Sequence, residues 1–358
     1  MTLEAIKLIE EAYRIKVEKI NQVRDGYYIL GKDNSRYILK PVKEPLERTY
    51  YTFTAVEHLR SNGFNKVCFY EKTNFNMPFV GINNYYYTLT PVIQGNEMSF
   101  DNNRELASAS CMLAELHIAS IGFTKEHAME KMFPSFCVID SMKPAECRNN
   151  KVTEEKVSSW IRCSLGQTPN LYKRHLNELK RYRKIAQRNR GKFEIEYLQV
   201  CDYHIDLGDR VLHELLYESK YEEMVEEAFK KGTLCHRDYT AHNIITGPLG
   251  DFVSNFDYCG IELHVYDVAN FMRRKLRKSN WSVKDAEFIL DKYNSVRPLS
   301  KEEMHILKLL LLFPQKLWRN VNRYYNSRKS WCEKSCMEKL KEIEEEKVYL
   351  EKLLDIFD

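Results

Sequence analysis

Long apolar runs, an excess of one charge and a signal peptide are all missing from this chain of 358 residues. The apolar run Leu309–Pro314 is far shorter than the ~20 residues that a membrane-spanning helix needs. The net charge is only +4, which does not favour binding to nucleic acid or to an acidic membrane. The N-terminal segment 1–16 carries acidic residues and is typical of an amphipathic helix, not of a secretory leader.

Clustered cysteines are also scarce, although the chain has ten of them. Only Cys332 and Cys336 lie close together, and a lone C-x3-C pair is more often incidental than a metal site. Scattered cysteines without a leader favour reduced thiols in a cytosolic protein. With 44% hydrophobic and 30% charged residues, the composition predicts a folded chain of two domains or one large bilobal one.

The first ninety residues alternate between β-rich and helical patterns. Thr2 can cap an amphipathic helix, and turn residues 31–35 between two β-rich runs predict a hairpin over residues 27–40. A helix is predicted over residues 46–61, and further strands are predicted over residues 66–70 and 85–89.

Beyond this region the pattern becomes mainly helical, beginning at Asp101. We therefore predict a small lobe of residues 1–93, a connector near 91–96 and a large helical lobe of residues 94–358. Within the large lobe, residues 173–192 hold nine Lys or Arg against one Glu. This basic segment is interpreted as a solvated helix face, with a docking surface for an acidic partner or nucleic acid as the alternative.

The segment 233–245 carries the most informative motif. Its residues His236, Arg237, Asp238 and Asn243 fit the pattern H-R-D-x-x-x-x-N. In phosphoryl transfer the aspartate accepts or orients the proton of the attacking hydroxyl, and the asparagine supplies an amide oxygen to Mg²⁺. The motif therefore predicts a phosphotransfer loop, with an incidental match in a polar loop as the alternative.

Lys40 ends a β-rich run in the form that is typical of the phosphate-binding lysine of kinases. Glu57 lies on the apolar stripe of the following helix, four residues after Phe53. An inward carboxylate needs a partner, and we expect that partner to be Lys40. The alternative is a boundary glutamate that pairs with Arg60 or with nothing.

Together these features resemble the aminoglycoside phosphotransferase and choline kinase-like superfamily. Within it, the chain is most similar to the CotS-type spore coat proteins of endospore-forming bacteria. The resemblance rests on residues between 39 and 268, namely Leu39-Lys40, Glu57, the connector 89–95, Leu116-His117, His236 to Asn243, Asn255 to Cys259 and Tyr266 to Val268.

The resemblance implies an α+β, bilobal protein-kinase-like fold with a catalytic-loop-like segment at 233–259. It also implies ATP and Mg²⁺ as cofactors. Lys40, Glu57 and the connector residues Thr90 and Val92 would serve the nucleotide, and Asp238 would be the catalytic base.

The resemblance also places a metal-binding aspartate twelve residues before a structural aspartate, Asp267. That count falls on Asn255 and not on Asp257, so an amide stands where a carboxylate belongs. Asn243 and Asn255 are therefore the expected metal residues, with Asp257 as the alternative on the same face of a strand over 252–259. His236 and Asp267 are expected to be buried supports of the site.

Two functions follow as hypotheses. The first is an ATP- and Mg²⁺-dependent phosphotransferase that acts on a small-molecule hydroxyl. The second is a kinase-like spore coat component, a pseudokinase, whose partners are other coat proteins, and Asn255 favours it. A nucleic-acid binder acting through residues 173–192 is disfavoured by the near-neutral charge. The resemblance implies synthesis in the mother-cell cytoplasm and deposition on the spore coat.

Overall fold

The computed structural model describes residues 1–83, 85–142, 152–326 and 332–357, without the side chains of 138–142, 332 and 355. Cys147 and the Cys332 side chain, on which part of the thiol prediction depends, lie outside this description. Eight cysteines are described, and all eight are free thiols. The chain divides into two compact units, Met1–Cys163 with Lys231–Ile261, and Ser164–Lys230 with Glu262–Asp358. The predicted lobe boundary at residue 93 stays a prediction.

A five-stranded antiparallel sheet dominates the start of the first unit. Thr2 caps the helix before it, because its hydroxyl accepts a hydrogen bond from the Ala5 N–H at 3.3 Å. The predicted hairpin is present, with Ile29 opposite Tyr37. The elements are α1 (Leu3–Tyr13), β1 (Val17–Val23), β2 (Gly26–Gly31), β3 (Arg36–Pro41), α2 (Leu46–Ser61), β4 (Val80–Ile82) and β5 (Tyr85–Pro91), and the strand order is β1-β2-β3-β5-β4.

The strand predicted over residues 66–70 is wrong. Only Val67 forms a bridge, a parallel one with Val253. The segment changes partner along its length: the Cys68 N–H donates to the Val253 carbonyl at 2.8 Å, whereas the Glu71 N–H donates to the Leu89 carbonyl at 2.7 Å. A run that divides its backbone bonds between two sheets forms no continuous ladder with either.

The remainder of the first unit is a helical layer with a small second sheet. The helix predicted from Asp101 begins two residues later, since Asn102 caps it by accepting from the Arg104 and Glu105 N–H groups. The elements are β6 (Asn96–Glu97), α3 (Asn103–Ala119), α4 (Lys125–Met142), α5 (Glu154–Trp160), β7 (Ile244–Gly247) and β8 (Gly250–Val253), with the three strands in the order β6-β7-β8.

The second unit is helical in the part of the chain that the structure describes. Leu179 and Tyr182 of the basic segment are buried in its core, together with Leu340 and Ile343 of the C-terminal helix. The elements are α6 (Thr168–Asn189), α7 (Lys192–Tyr217), α8 (Tyr221–Lys231), α9 (Val265–Leu276), α10 (Val283–Asn294), α11 (Lys301–Leu312), α12 (Gln315–Asn326) and α13 (Cys332–Leu353). None of the helices described has the length and apolar content needed to cross a bilayer.

Neighbouring acidic residues neutralise part of the predicted basic segment. Lys180 contacts Asp209 at 2.8 Å, and Arg183 contacts Asp202 at 2.7 Å. Both carboxylates come from α7, so these two exposed ion pairs link the surfaces of α6 and α7. A docking role for the rest of the segment stays a prediction.

Two buried histidines should make the stability of the second unit fall in acid. Burial lowers the pKa of His175 and of His204 to about 4, and His175 stacks on Trp318 with ring centroids 3.4 Å apart. The pKa of each histidine is lower in the folded state than in the unfolded state, where it is near 6.5. Each neutral histidine therefore makes its full contribution to stability above pH 6.5. This contribution is lost as the pH falls towards 4, by at most ~3 kcal/mol per histidine.

The measurement is the thermal midpoint of the protein and of the His175→Gln and His204→Gln variants between pH 7.5 and 4.5. Each variant should show a shallower dependence of Tm on pH than the native chain, because carboxylates contribute equally to all three. Parallel pH profiles for the three proteins would contradict this prediction.

Candidate functional site

Backbone hydrogen bonds hold the predicted phosphotransfer loop in place. Cys235, just before it, exchanges two backbone hydrogen bonds with Gly260, at 2.9 and 3.0 Å. The loop then passes through Arg237, whose φ of 67° lies in the left-handed region, and enters β7 after a 3₁₀ turn at Ala241–Asn243. The segment from 235 to 260 is thus a closed loop with both ends paired to each other.

His236 connects the two halves of this loop. Its ring is buried, its Nε2 lies 2.9 Å from the Ser254 carbonyl, and its Nδ1 accepts from the Asp238 N–H at 3.2 Å. Since a backbone N–H can only donate, this network assigns the ring proton to Nε2. The Phe256 ring packs edge-on at 4.6 Å. His236 therefore fixes the backbone of Asp238 relative to the chain before Asn255.

Asp238, Asn243 and Asn255 form a continuous chain of side-chain hydrogen bonds. The Asn243 amide donates to the Asp238 carboxylate at 2.9 Å and to the Asp238 carbonyl at 2.8 Å. The Asn255 amide donates in turn to Oδ1 of Asn243 at 3.2 Å. The structure thus brings together all three residues that the sequence assigns to the reaction and the metal.

Asp257 occupies a different environment from the one predicted. Strand β8 ends at Val253, Asn255 has a left-handed φ of 60°, and Asp257 lies in the 3₁₀ turn Phe256–Tyr258. The prediction that Asn255 and Asp257 share one strand face is therefore wrong. The chain turns at Asn255 because asparagine tolerates the left-handed region.

Two arginines that sequence reasoning missed contact this turn. Arg48 and Arg162 both donate to the Asp257 carbonyl, at 2.9 and 3.0 Å, and both guanidiniums lie within 6 Å of the Tyr258 ring centre. Burial and the neighbouring Arg48 hold the pKa of Arg162 below its usual value. The two residues come from distant parts of the chain, so no local spacing indicated them.

The predicted ion pair between Lys40 and Glu57 is not formed. The Glu57 carboxylate contacts Arg60 at 2.9 Å on its own helix and also pairs with Lys72. Lys40 is exposed, and no described carboxylate lies within ion-pair distance of it. Glu57 instead pairs with Arg60 of its own helix, which was the alternative prediction, and with Lys72.

The connector residues bond to strand β3 at the end of the inner strand β5. The Thr90 hydroxyl donates to the Ile38 carbonyl at 3.4 Å, and the Val92 N–H donates to the Arg36 carbonyl at 2.8 Å. The Val92 N–H is therefore already occupied, so a base could contact Val92 only through its carbonyl or side chain. Asp267 belongs to the second unit, where it is fully buried in the first turn of α9.

The donor set around Asp238 fits Mg²⁺ poorly. Mg²⁺ favours carboxylate oxygens, and the three clustered side chains supply a single carboxylate, that of Asp238. The Asn255 amide directs its N–H₂ group towards Asn243 Oδ1, the atom that would serve a metal. Protein amides can bind a hard cation weakly, but here Asn243 Oδ1 already accepts from Asn255, and the Asn243 amide donates to Asp238.

Solved structures place this chain in a known fold. It is similar to the aminoglycoside phosphotransferase of Alicyclobacillus acidocaldarius, with 18% identity, a TM-score of 0.74 and coverage of 100% of this chain and 96% of that one. It is also similar to the amicoumacin kinase hAmiN, with 12% identity, a TM-score of 0.56 and coverage of 96% and 93%. At these identities the likeness concerns the fold, and it confirms the predicted α+β, bilobal kinase-like fold.

Sequence comparison identifies the family. The family model described as "Spore coat putative kinase YutH" matches residues 149–357, more than half of the chain, and the chain belongs to this family. It is also 22% identical over 332 residues to Spore coat protein S of Bacillus subtilis (strain 168), covering 91% of this chain and 86% of that protein. The predicted resemblance to CotS-type spore coat proteins is thereby confirmed.

Proposed function

We propose that this protein is a kinase-like component of the spore coat in which phosphotransfer is weak or absent. Membership of a spore coat family and the similarity to Spore coat protein S support the location. Its partners would be other coat proteins, and it would be made in the mother-cell cytoplasm before deposition on the spore.

The observation that carries the low-activity proposal is the hydrogen bond from Asn255 to Asn243. A carboxylate at position 255 would add a full negative charge facing the Asn243 oxygen, and the two residues together would hold Mg²⁺ more strongly. The amide instead donates its own N–H to that oxygen, so the protein satisfies the pair without a cation. The loss of one charged ligand weakens the anchoring of the metal that phosphoryl transfer requires.

The state of Lys40 supports the same proposal. In active protein kinases the phosphate-binding lysine and the helix glutamate pair with each other. Here Arg60 and Lys72 neutralise Glu57, so Glu57 does not position Lys40. Lys40 remains an exposed cation that can still contact a phosphate group.

The purified protein should therefore hydrolyse ATP very slowly or not at all. A deficit of ~3–4 kcal/mol in transition-state stabilisation corresponds to a rate ~10²–10³ lower than that of an active kinase. Weak nucleotide binding through Lys40, Thr90 and Val92 should survive, and Asp238→Ala should change it little. The measurements are a coupled ATPase assay and calorimetry with and without Mg²⁺. Robust turnover that Asp238→Ala abolishes would overturn the proposal.

An active phosphotransferase is the second candidate. The intact loop favours it, since Asn243 and His236 hold the Asp238 carboxylate and backbone as a proton-accepting group requires. In this reading ATP and Mg²⁺ are the cofactors, Asp257 is the metal carboxylate, and Asp238 accepts the proton of a small-molecule hydroxyl. Loss of turnover in Asp257→Asn, with normal turnover in Asn255→Ala, would select this candidate.

A further inference from the structure

The second unit contains a small cavity lined by both apolar and charged side chains. Its volume is about 50 Å³. One water needs ~10–15 Å³ on this measure, so the cavity has room for a few waters or one small ion. Helices α7, α9, α11, α12 and α13 supply most of its walls. Half of the lining residues are apolar, and the polar half includes His204, Arg273, Arg277, Trp281, Lys316, Glu346 and Lys347.

The lining has an excess of positive charge. It contains four cationic side chains and a single carboxylate, that of Glu346. Glu346 is already paired with Lys316 at 2.7 Å. Arg273 donates to neutral groups, the Asn270 side chain and the Leu310 carbonyl. Neither Arg273 nor Arg277 forms an ion pair with a carboxylate among the described residues, although the charge of Glu346 acts on Arg277 from a greater distance.

Three residues that line this cavity each carry a buried polar atom without a hydrogen-bond partner in the described part of the chain. The atoms are Nε of Arg277, Nε1 of Trp281 and Nε2 of His204. Trp281 and His204 are only 5% and 7% exposed, so bulk water does not compensate them. The first two atoms can only donate, and an unsatisfied buried donor normally has a ligand or an ordered water opposite it.

The electrostatic environment of Arg277 indicates what that ligand is. Burial, and after it the charge of Arg273, lowers the pKa of Arg277 to about 10; the charge of Glu346 offsets part of this effect, whereas Arg319 and Arg274 add to the repulsion. A neutral molecule would satisfy the donors but leave this repulsion in place. An anion would do both, and the planar fork of a guanidinium matches the oxygens of a phosphate group.

We propose that this cavity is a binding site for a small tetrahedral oxyanion of the phosphate class, held by the Arg277 guanidinium and the Trp281 indole N–H. Arg273 contributes charge, and Lys316 stays with its glutamates. Free phosphate and the phosphate group of a small ester share this chemistry. The proposal does not depend on the proposed function, since none of these residues belongs to the first unit.

The test is a titration of the full-length protein with inorganic phosphate, sulfate and glycerol 2-phosphate, at constant ionic strength set with chloride. Phosphate at ~100 times its Kd should raise Tm by ~5 °C. Binding of inorganic phosphate alone identifies the free ion as the ligand, whereas binding of the ester as well identifies the phosphate group of a larger molecule. No shift with any of the three anions beyond that of chloride would overturn the proposal.

Variants locate the site. Arg277→Gln should abolish the phosphate-dependent shift, while Lys278→Gln, which removes the same charge from an exposed neighbour, should keep it. Trp281→Phe retains the bulk of the ring and should weaken phosphate binding about tenfold, which covers the case in which Arg277→Gln does not fold. Lys40→Gln should leave the shift unchanged. A shift lost in Lys40→Gln, or retained in both Arg277→Gln and Trp281→Phe, would overturn the assignment.

Discussion

Asn255→Asp is expected to make the stability of the first unit depend on Mg²⁺. Aspartate tolerates the left-handed φ of 60° at this position, so the backbone should be preserved. In EDTA the new carboxylate faces the Asn243 oxygen without a donor between them, and we expect a loss of ~1–2 kcal/mol of unfolding free energy. Millimolar Mg²⁺ should restore that loss, and the affinity for ATP with Mg²⁺ should rise tenfold or more.

Asn83→Asp is the matched control for this experiment. Asn83 is also an exposed asparagine with a left-handed φ, of 48°, and the substitution adds the same charge. Its stability should respond to Mg²⁺ as the native chain does. If calorimetry and thermal unfolding give the same Mg²⁺ response for Asn255→Asp as for Asn83→Asp, position 255 does not face a metal site.

Gly232→Ala should cause a large loss of stability. Gly232 leads into the phosphotransfer loop with a φ of 69°, which costs ~1–2 kcal/mol for a residue with a Cβ. That Cβ would also lie 2.7 Å from the backbone carbon of Phe123, and a backbone neighbour can move only by distorting the chain. A further ~1–3 kcal/mol for the displaced backbone gives an expected total of ~2–5 kcal/mol.

Gly63→Ala separates the two contributions. Gly63 has a φ of 89°, but no atom lies within 4 Å of the place where its Cβ would stand. Its substitution should therefore cost only the conformational part, ~1–2 kcal/mol. The comparison uses urea unfolding of both variants. Equal losses of unfolding free energy in the two variants would show that the close contact between position 232 and the Phe123 backbone does not destabilise the variant.

Much of the fold follows from local sequence. The hairpin over 27–40 and the helix over 46–61 are confirmed because turn residues and helix-stop residues act over a few positions. The grouping of Asp238, Asn243 and Asn255 was also predictable, since all three belong to one short closed loop. Spacing along such a loop translates directly into distance.

Other features depend on partners that are remote in sequence. Glu57 was assigned to Lys40 from its position on a helix, but Lys72 arrives from a segment whose course the sequence does not indicate. The segment 66–70 has the composition of a strand and divides its bonds between two sheets. The cavity around Arg277 needs five helices to meet, and none of its residues forms a motif with another.

Residues 66–71 form backbone hydrogen bonds with both sheets of the first unit, and this affects how that unit unfolds. At one end the segment is bonded to β8, which leads directly to Asn255, and at the other to β5, which carries Thr90. Separation of the connector from the loop therefore requires these backbone bonds to break together. We expect the connector and the loop to unfold as one cooperative unit. Partial unfolding of either should then destabilise the other, even in a protein that performs no catalysis.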